Sequence, residues 1–212
     1  MALKITPHLQ YELELWNSGV GEVAGLDEAG RGAWAGPVCA AAVILPADTG
    51  IQEKLHGVRD SKQMTPEQRN YWALKIKDMA QDWGIGFADH DEIDAMNILG
   101  ATKTAMIRAL ESLTISPCYL LLDAVRLPGI KISQNAIIRG DQCCLSIAAA
   151  SILAKTARDS LMVELSKQYP DYGFENHKGY GTLRHRLALA MTGVSPIHRK
   201  TYAPIKAFMD QK

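Results

Sequence analysis

The chain has 212 residues, 47% of them hydrophobic and 22% charged. That composition suits one globular domain with a sizeable core and excludes a low-complexity or disordered chain. With 23 basic residues against 23 acidic ones the formal net charge is zero, so wholesale cationic binding of nucleic acid is excluded and any such binding needs a local patch.

The N-terminal stretch carries Glu12 and Glu14 where a signal peptide is apolar. No apolar run reaches the roughly 18 residues of a membrane span. Cys39, Cys118, Cys143 and Cys144 show no C-x-x-C spacing and read as reduced thiols. A cytoplasmic protein that does not enter a membrane is expected. Val23 to Asp27 and Val38 to Leu45 read as two strands joined by a glycine-rich turn, the second buried on both faces. Asp60-Ser61-Lys62 lies in a polar loop. Thr65-Pro66-Glu67-Gln68 starts a helix, with Thr65 as N-cap, Pro66 in the first turn and Gln68 completing a capping box. That helix runs to about Gln81, and Trp83 to Ala88 is a third strand. Ile98 to Leu113 has helical spacing. Cys118 to Asp123 is a short apolar strand ending in a carboxylate, and Ala136 to Ile138 another, followed by Arg139-Gly140-Asp141. Leu145 to about Gln168 is a long helix with a small and apolar first half, stopped by Tyr169-Pro170. Helices near Thr182 to Met191 and Ala203 to Met209 close the chain. Strands that first pair as hairpins and then alternate with helices indicate an α/β fold, a mixed sheet flanked by helices with a helical C-terminal portion.

The chemistry begins at Gly25-Leu26-Asp27-Glu28-Ala29-Gly30-Arg31-Gly32. Adjacent carboxylates repel, and a divalent cation gives the chain a reason to hold them together, since carboxylates are the ligands magnesium and manganese prefer. The plain alternative is an acidic turn between strands. Asp123 and Asp141 also fall at or just beyond strand ends, where open α/β sheets gather their sites. Alone, Asp123 reads as a strand-end cap and Asp141 as a turn or N-cap residue. Together with Asp27 and Glu28 they form a set that cannot ionise in one pocket without cations. Two divalent ions about 4 Å apart suit in-line attack on a phosphodiester. Successive strand residues point to opposite faces, so Asp27 and Glu28 meet one site only if the chain bends at the glycines.

On the long helix, Lys155, Arg158 and Asp159 read either as a solvated stripe with a Lys155–Asp159 pair or as phosphate contacts with Asp159 a rival ligand. From Asn176 to Met209 there is no acidic residue, and Lys178, Arg184, Arg186, Arg199, Lys200 and Lys206 stand there with His177, His185 and His198. This is the expected local basic patch. Tyr180 and Tyr202 are interleaved aromatics suited to stacking, although for Tyr202 ordinary packing is the better reading. His177 has no partner at ligand spacing. No nucleotide-binding glycine loop, zinc-protease or serine-hydrolase signature is present.

These residues resemble a known family, ribonuclease HII. The resemblance is carried by the glycine-framed Asp27-Glu28 segment with Gly36-Pro37-Val38, by Asp60-Ser61-Lys62, Asn97-Ile98-Leu99, Leu122-Asp123 and Gly140-Asp141, by Ala149 to Lys155, by Arg158-Asp159, and by Tyr172-Gly173-Phe174 with His177-Lys178-Gly179-Tyr180. It runs from about residue 20 to residue 208, and residues 1–19 add nothing to it. It implies an RNase H-like fold over residues 20–169, a small helical appendage over 170–212 that helps bind substrate, and an N-terminal extension over 1–19. It implies a monomeric magnesium- or manganese-dependent endonuclease. Such an enzyme cleaves the RNA strand of RNA/DNA hybrids and incises duplex DNA 5′ of embedded ribonucleotides, by two-metal-ion catalysis that leaves 3′-hydroxyl and 5′-phosphate ends, as ribonucleotide excision repair requires. The four acids of the family fall on Asp27, Glu28, Asp123 and Asp141, and Asp159 becomes a helix-surface residue. The Gly30-Arg31-Gly32 backbone is expected to read the ribose 2′-hydroxyl, Tyr180 to stack on the next sugar, and Lys62, Lys155 and Arg158 to contact phosphate. Three departures from the family pattern, Ala33-Trp34-Ala35, Ala124-Val125 and Arg139, remove no ligand and bear on junction preference.

Overall fold

Val38 to Ile44 is apolar at every position, and the computed structural model, which describes residues 6–210, buries it completely as an inner strand of a five-stranded sheet. In chain order the elements are α1 (Gln10–Asn17), β1 (Val23–Ala29), β2 (Val38–Ile44), α2 (Ile51–Lys54), α3 (Pro66–Met79), β3 (Asp82–Ala88), α4 (His90–Glu111), β4 (Tyr119–Asp123), β5 (Ser133–Ile137), α5 (Gly140–Cys143), α6 (Leu145–Gln168), α7 (Phe174–His177), α8 (Leu183–Thr192) and α9 (Ala203–Met209). Residues 1–5 of the expected N-terminal extension lie outside the described residues.

The strand order is β3-β2-β1-β4-β5. β1, β2 and β3 form an antiparallel meander, whereas β4 and β5 run parallel to β1. This is the mixed sheet that the hairpin-then-alternating pattern predicts. Its strands alternate cleanly. Ala24 and Leu26 of β1 pack with Ala40 and Ala42 of β2 against α4, while Ala29, Cys39, Ala41 and Val43 pack against α6. A Cβ at Gly25 would overlap Ser146, so glycine lets α6 lie directly on β1.

The α3 start is as the sequence reads, with Thr65 accepting from the Gln68 amide at 3.3 Å in a complete capping box. α4 begins earlier than the Ile98 expected, at a second capping box made by Asp89 and Glu92. Asn97 then breaks it with φ 63°, and its Oδ1 accepts from the Leu99 and Gly100 amides, re-capping the helix at the residue where periodicity places its start. β5 begins at Ser133 rather than Ala136; its polar residues sit on an edge strand, where the outer face needs no apolar pattern.

After α6, the chain folds back as the last helices. Tyr172, Phe174, Leu189, Ile197 and Ile205 form an apolar cluster with Ala35 from the turn after β1 and Met162 of α6. The cluster fixes this C-terminal portion against the glycine-rich turn. Among the described residues, no helix is long and apolar enough to cross a membrane, and all four cysteines are free thiols.

Candidate metal centre and nucleic-acid interface

Alternation along β1 decides which acids meet. Asp27 shares the α6 side of the sheet with Gly25 and Ala29, and Asp123, two residues after Leu121, also faces that side. Asp141 comes to the same place from α5, the single turn that precedes α6. One carboxylate oxygen from each of Asp27, Asp123 and Asp141 lies within 4.8 Å of the other two. The Gly140 amide donates to Asp123 Oδ1 at 2.8 Å, and the Glu28 amide donates to Asp27 Oδ1 at 2.7 Å. Asp27 and Asp123 are thus each aimed by a backbone donor, while Asp141 meets the Lys62 ammonium.

Burial, followed by the charges of Glu28, Asp123 and Asp141, holds the Asp27 carboxyl well above the usual carboxylate range. Asp141 is raised by burial and then by Asp123 and Asp60. Two acids pushed toward protonation by like charges make a site that a divalent cation relieves. The donor set fits a hard oxygen-seeking ion.

Glu28 is not part of this trio. The strand stays regular through Ala29, and Glu28 lies outside the 4.8 Å grouping while staying close enough for its charge to raise Asp27 and for Asp123 to raise it. Its Oε1 meets the Arg31 guanidinium at 3.1 Å. Burial raises its carboxyl while Arg31 lowers it, with a net upward shift. Its Oε2 is buried without a hydrogen-bond partner among the described residues.

The glycine turn is held from behind. Gly30 has φ +95°, and a Cβ there would overlap the Arg158 side chain; a Cβ on Gly32 would meet no protein atom. Gly30 is therefore required by the fold, whereas the smallness of Gly32 leaves room for something outside it. Arg158 corrects the sequence reading. It is wholly buried, donating from Nε to Pro37 O at 2.8 Å, from Nη1 to Lys178 O at 3.0 Å and from Nη2 to Ala35 O at 3.2 Å. Wholly buried with three of its N–H groups on carbonyls, it does not reach a phosphate and instead braces the turn. Arg199, read as part of the basic patch, is also wholly buried and donates to Arg31 O, Gly36 O and Pro37 O. Tyr202 packs as expected and donates to Arg31 O at 2.8 Å.

Lys62 sits on a 3₁₀ turn with its ammonium 3.5 Å from Asp141 Oδ2 and its side chain 74% exposed. Lys155 pairs with Asp159 at 2.7 Å, the i,i+4 reading, and Asp159 also meets Arg69 of α3 at 3.3 Å. The Tyr180 ring carries the Lys155 ammonium over it at 5.3 Å and the Arg158 guanidinium at 5.4 Å. Two open hollows accompany these groups. One, of about 380 Å³, is lined by Arg69, Lys155, Lys178 and Tyr180. The other, of about 410 Å³, is lined by Arg31, Lys103 and Arg126 beside Ala124. Lys103 and Arg126 were invisible to the sequence reading because isolated cations form no run.

The three histidines of the C-terminal portion pack with one another. His177 and His185 stack at 4.5 Å, and His185 Nε2 meets His198 Nε2 at 2.9 Å. Ser195 donates its amide to His198 Nδ1 at 2.9 Å.

The family model of ribonuclease HII matches residues 24–205 of this chain. A ribonuclease HII of Desulfitobacterium hafniense is 51% identical over 209 residues, covering 99% of this chain and 79% of the relative. A ribonuclease HII of Dehalococcoides mccartyi is 46% identical over 215 residues, covering 99% of both. Among solved structures, the ribonuclease H2 of Pyrococcus horikoshii superposes with a TM-score of 0.76 at 28% identity, over 90% of this chain and 98% of that one.

Proposed function

The chain belongs to the ribonuclease HII family of metal-dependent nucleases, and from that premise we propose that it hydrolyses the RNA strand of RNA/DNA hybrids and incises duplex DNA 5′ of an embedded ribonucleotide, using Mg²⁺ or Mn²⁺ held by Asp27, Asp123 and Asp141. The observation that carries this reading is the meeting of three carboxylate oxygens within 4.8 Å. Bound divalent ions supply the charge that lets these acids ionise together, the activation of water and the stabilisation of the leaving oxygen.

The protein's own groups do the rest. Asp27 and Asp123 hold from the sheet, and Asp141 from α5. Glu28 stands beside them with one free carboxylate oxygen, positioned to accept a proton or to join a second ion. The Gly30–Gly32 backbone approaches the ribose and reads its 2′-hydroxyl, the group that separates RNA from DNA. Tyr180 stacks on the neighbouring sugar, and Lys62 and Lys155 hold phosphates. Arg158 leaves the set of substrate contacts and becomes the brace that keeps Gly30 and Lys178 in register. A monomer acting in the cytoplasm is consistent with this role.

The test is a labelled RNA/DNA hybrid incubated with Mg²⁺, with Mn²⁺ and with EDTA, beside an all-DNA duplex. Metal-dependent cleavage of the hybrid alone is expected. Equal cleavage of the all-DNA duplex would favour a general metal-dependent DNase instead.

A further inference from the structure

The N-terminal segment adds nothing to the sequence-level resemblance, yet it carries a wholly buried carboxylate. Glu12 of α1 is 0% exposed. Its Oε1 accepts from the Ser146 amide at 2.8 Å and from Cys144 Sγ at 3.1 Å, 134 and 132 residues away in sequence. Oε2 has no hydrogen-bond partner, and no cation lies within ion-pair distance of Glu12, among the described residues. Burying a carboxylate without a counter-ion is costly. A protein that only needed a helix cap here would do better with a local Ser or Asp.

What Glu12 caps gives the reason. α6 has no side-chain cap of its own at Cys144, so its first amides and the positive end of its dipole face Glu12. The backbone joins the same clasp: the His8 amide donates to Cys143 O at 3.2 Å, and the Leu145 amide donates to His8 O at 3.1 Å. Residues 143–146 are thus tied on consecutive positions to residues 8–12. Immediately before them stands α5, which carries Asp141. The Cys144 amide closes on Gly140 O at 2.8 Å, and the Gly140 amide donates to Asp123 Oδ1 at 2.8 Å. This run of hydrogen bonds links Glu12 to the Asp123 carboxylate, and Asp141 follows Gly140 directly in the chain. Around it Leu9 shares a core with Leu145, and Leu15 and Trp16 pack against the one that contains Cys144 and Ile147.

We infer that Glu12 is a positioning residue for the metal centre: it clasps the α5–α6 junction so that Asp141 and Asp123 present their oxygens at one point. The inference rests on the assignment of Asp27, Asp123 and Asp141 as the metal-holding set. It also makes the N-terminal segment part of the catalytic apparatus rather than an extension.

The experiment compares wild type, Glu12→Ala, Glu12→Gln and Glu12→Asp, each as the full chain. Mn²⁺ binding is followed by calorimetry without substrate, cleavage of the hybrid gives kcat and KM, and thermal unfolding in EDTA reports stability. Loss of the acceptor in Glu12→Ala is expected to raise the Mn²⁺ Kd about tenfold or more, as removal of a group that orients a metal ligand does, and to lower kcat with KM for the hybrid unchanged. Glu12→Gln retains an oxygen at the Ser146 amide and restores both. Should Glu12→Ala not fold, Glu12→Asp, whose carboxylate is one methylene short, is expected to show the same weakened binding in smaller measure. A folded Ala or Asp variant that melts lower but binds Mn²⁺ with the wild-type Kd overturns the inference and leaves Glu12 a structural cap. A wild type that binds no Mn²⁺ overturns the metal assignment itself, a result read before any variant is compared.

Discussion

At the scale of single residues the account turns on Asp27, which is buried among like charges. Asp27→Asn keeps an oxygen to accept from the Glu28 amide and removes one charge. Cleavage is expected to fall by about a thousandfold or more, as when a principal electrostatic group is lost from an active site. Melting in EDTA is expected at or above the wild-type temperature, because repulsion is relieved, while the rise in melting temperature that Mg²⁺ gives the wild type disappears. A variant that still cleaves at the wild-type rate would remove Asp27 from the mechanism.

Gly30 and Gly32 make a second pair of tests. Gly30→Ala meets Arg158 at a backbone angle that disfavours any side chain and is expected to cost about 1–3 kcal/mol of stability. Gly32→Ala meets nothing. Its stability is expected within about 0.5 kcal/mol of wild type, while cleavage drops because the added methyl stands where the ribose approaches. Denaturant unfolding and cleavage rates on the two variants separate the roles; an active Gly32→Ala would show that this backbone does not contact substrate.

At the scale of elements, much was legible and some was not, for identifiable reasons. Asp27, Asp123 and Asp141 were readable because all three fall at or just beyond strand ends, where an open sheet collects a site. Glu28 stands outside the tight trio, as the period-two rule of a regular strand leads one to expect, yet its charge acts on Asp27 and that of Asp123 acts on it. The Asp89–Glu92 capping box that starts α4 was present in the sequence as D-x-x-E and passed unread. Arg158 was misread because a cation on a helix looks alike whether it meets a phosphate or three carbonyls; only the turn packed over it decides. Glu12 gave no signal, since its partners lie more than a hundred residues away. Arg158→Leu tests the brace. It leaves Ala35 O and Lys178 O without their buried donor and Pro37 O with Arg199 alone, and is expected to cost about 3 kcal/mol and to loosen the turn and the Tyr180 segment together. Hydrogen exchange that rises at one and not the other would contradict the coupling.

At the scale of the whole molecule, the C-terminal portion is held by an apolar cluster and three neutral histidines. The unfolded chain protonates an imidazole near 6.5, whereas burial and the neighbouring ring push His185 down to about 4 and His198 to about 3. The unfolded state therefore binds more protons between those values, so this contribution to stability is complete above 6.5 and is lost as pH falls toward 4. Asp27, Glu28 and Asp141, whose carboxyls are raised, act in the opposite sense, so the measurement is best made on Asp27→Asn, which removes the most strongly raised of them. Its urea midpoint is expected to fall steadily from pH about 7 to about 4.5; a flat midpoint would show that the histidines are not held neutral.

The same portion sets Tyr180 beside one cation-lined hollow, and Arg31 lines the other, on a chain with no net charge. The fold thus gathers local positive charge on a chain that has none overall. The most direct test of the account uses a labelled DNA duplex carrying one ribonucleotide, incubated with folded wild-type protein in Mg²⁺, Mn²⁺ or EDTA. A metal-dependent nick immediately 5′ of the ribonucleotide, leaving a 3′-hydroxyl and absent from the all-DNA duplex, is the expected result. Intact duplex in both metals would contradict it.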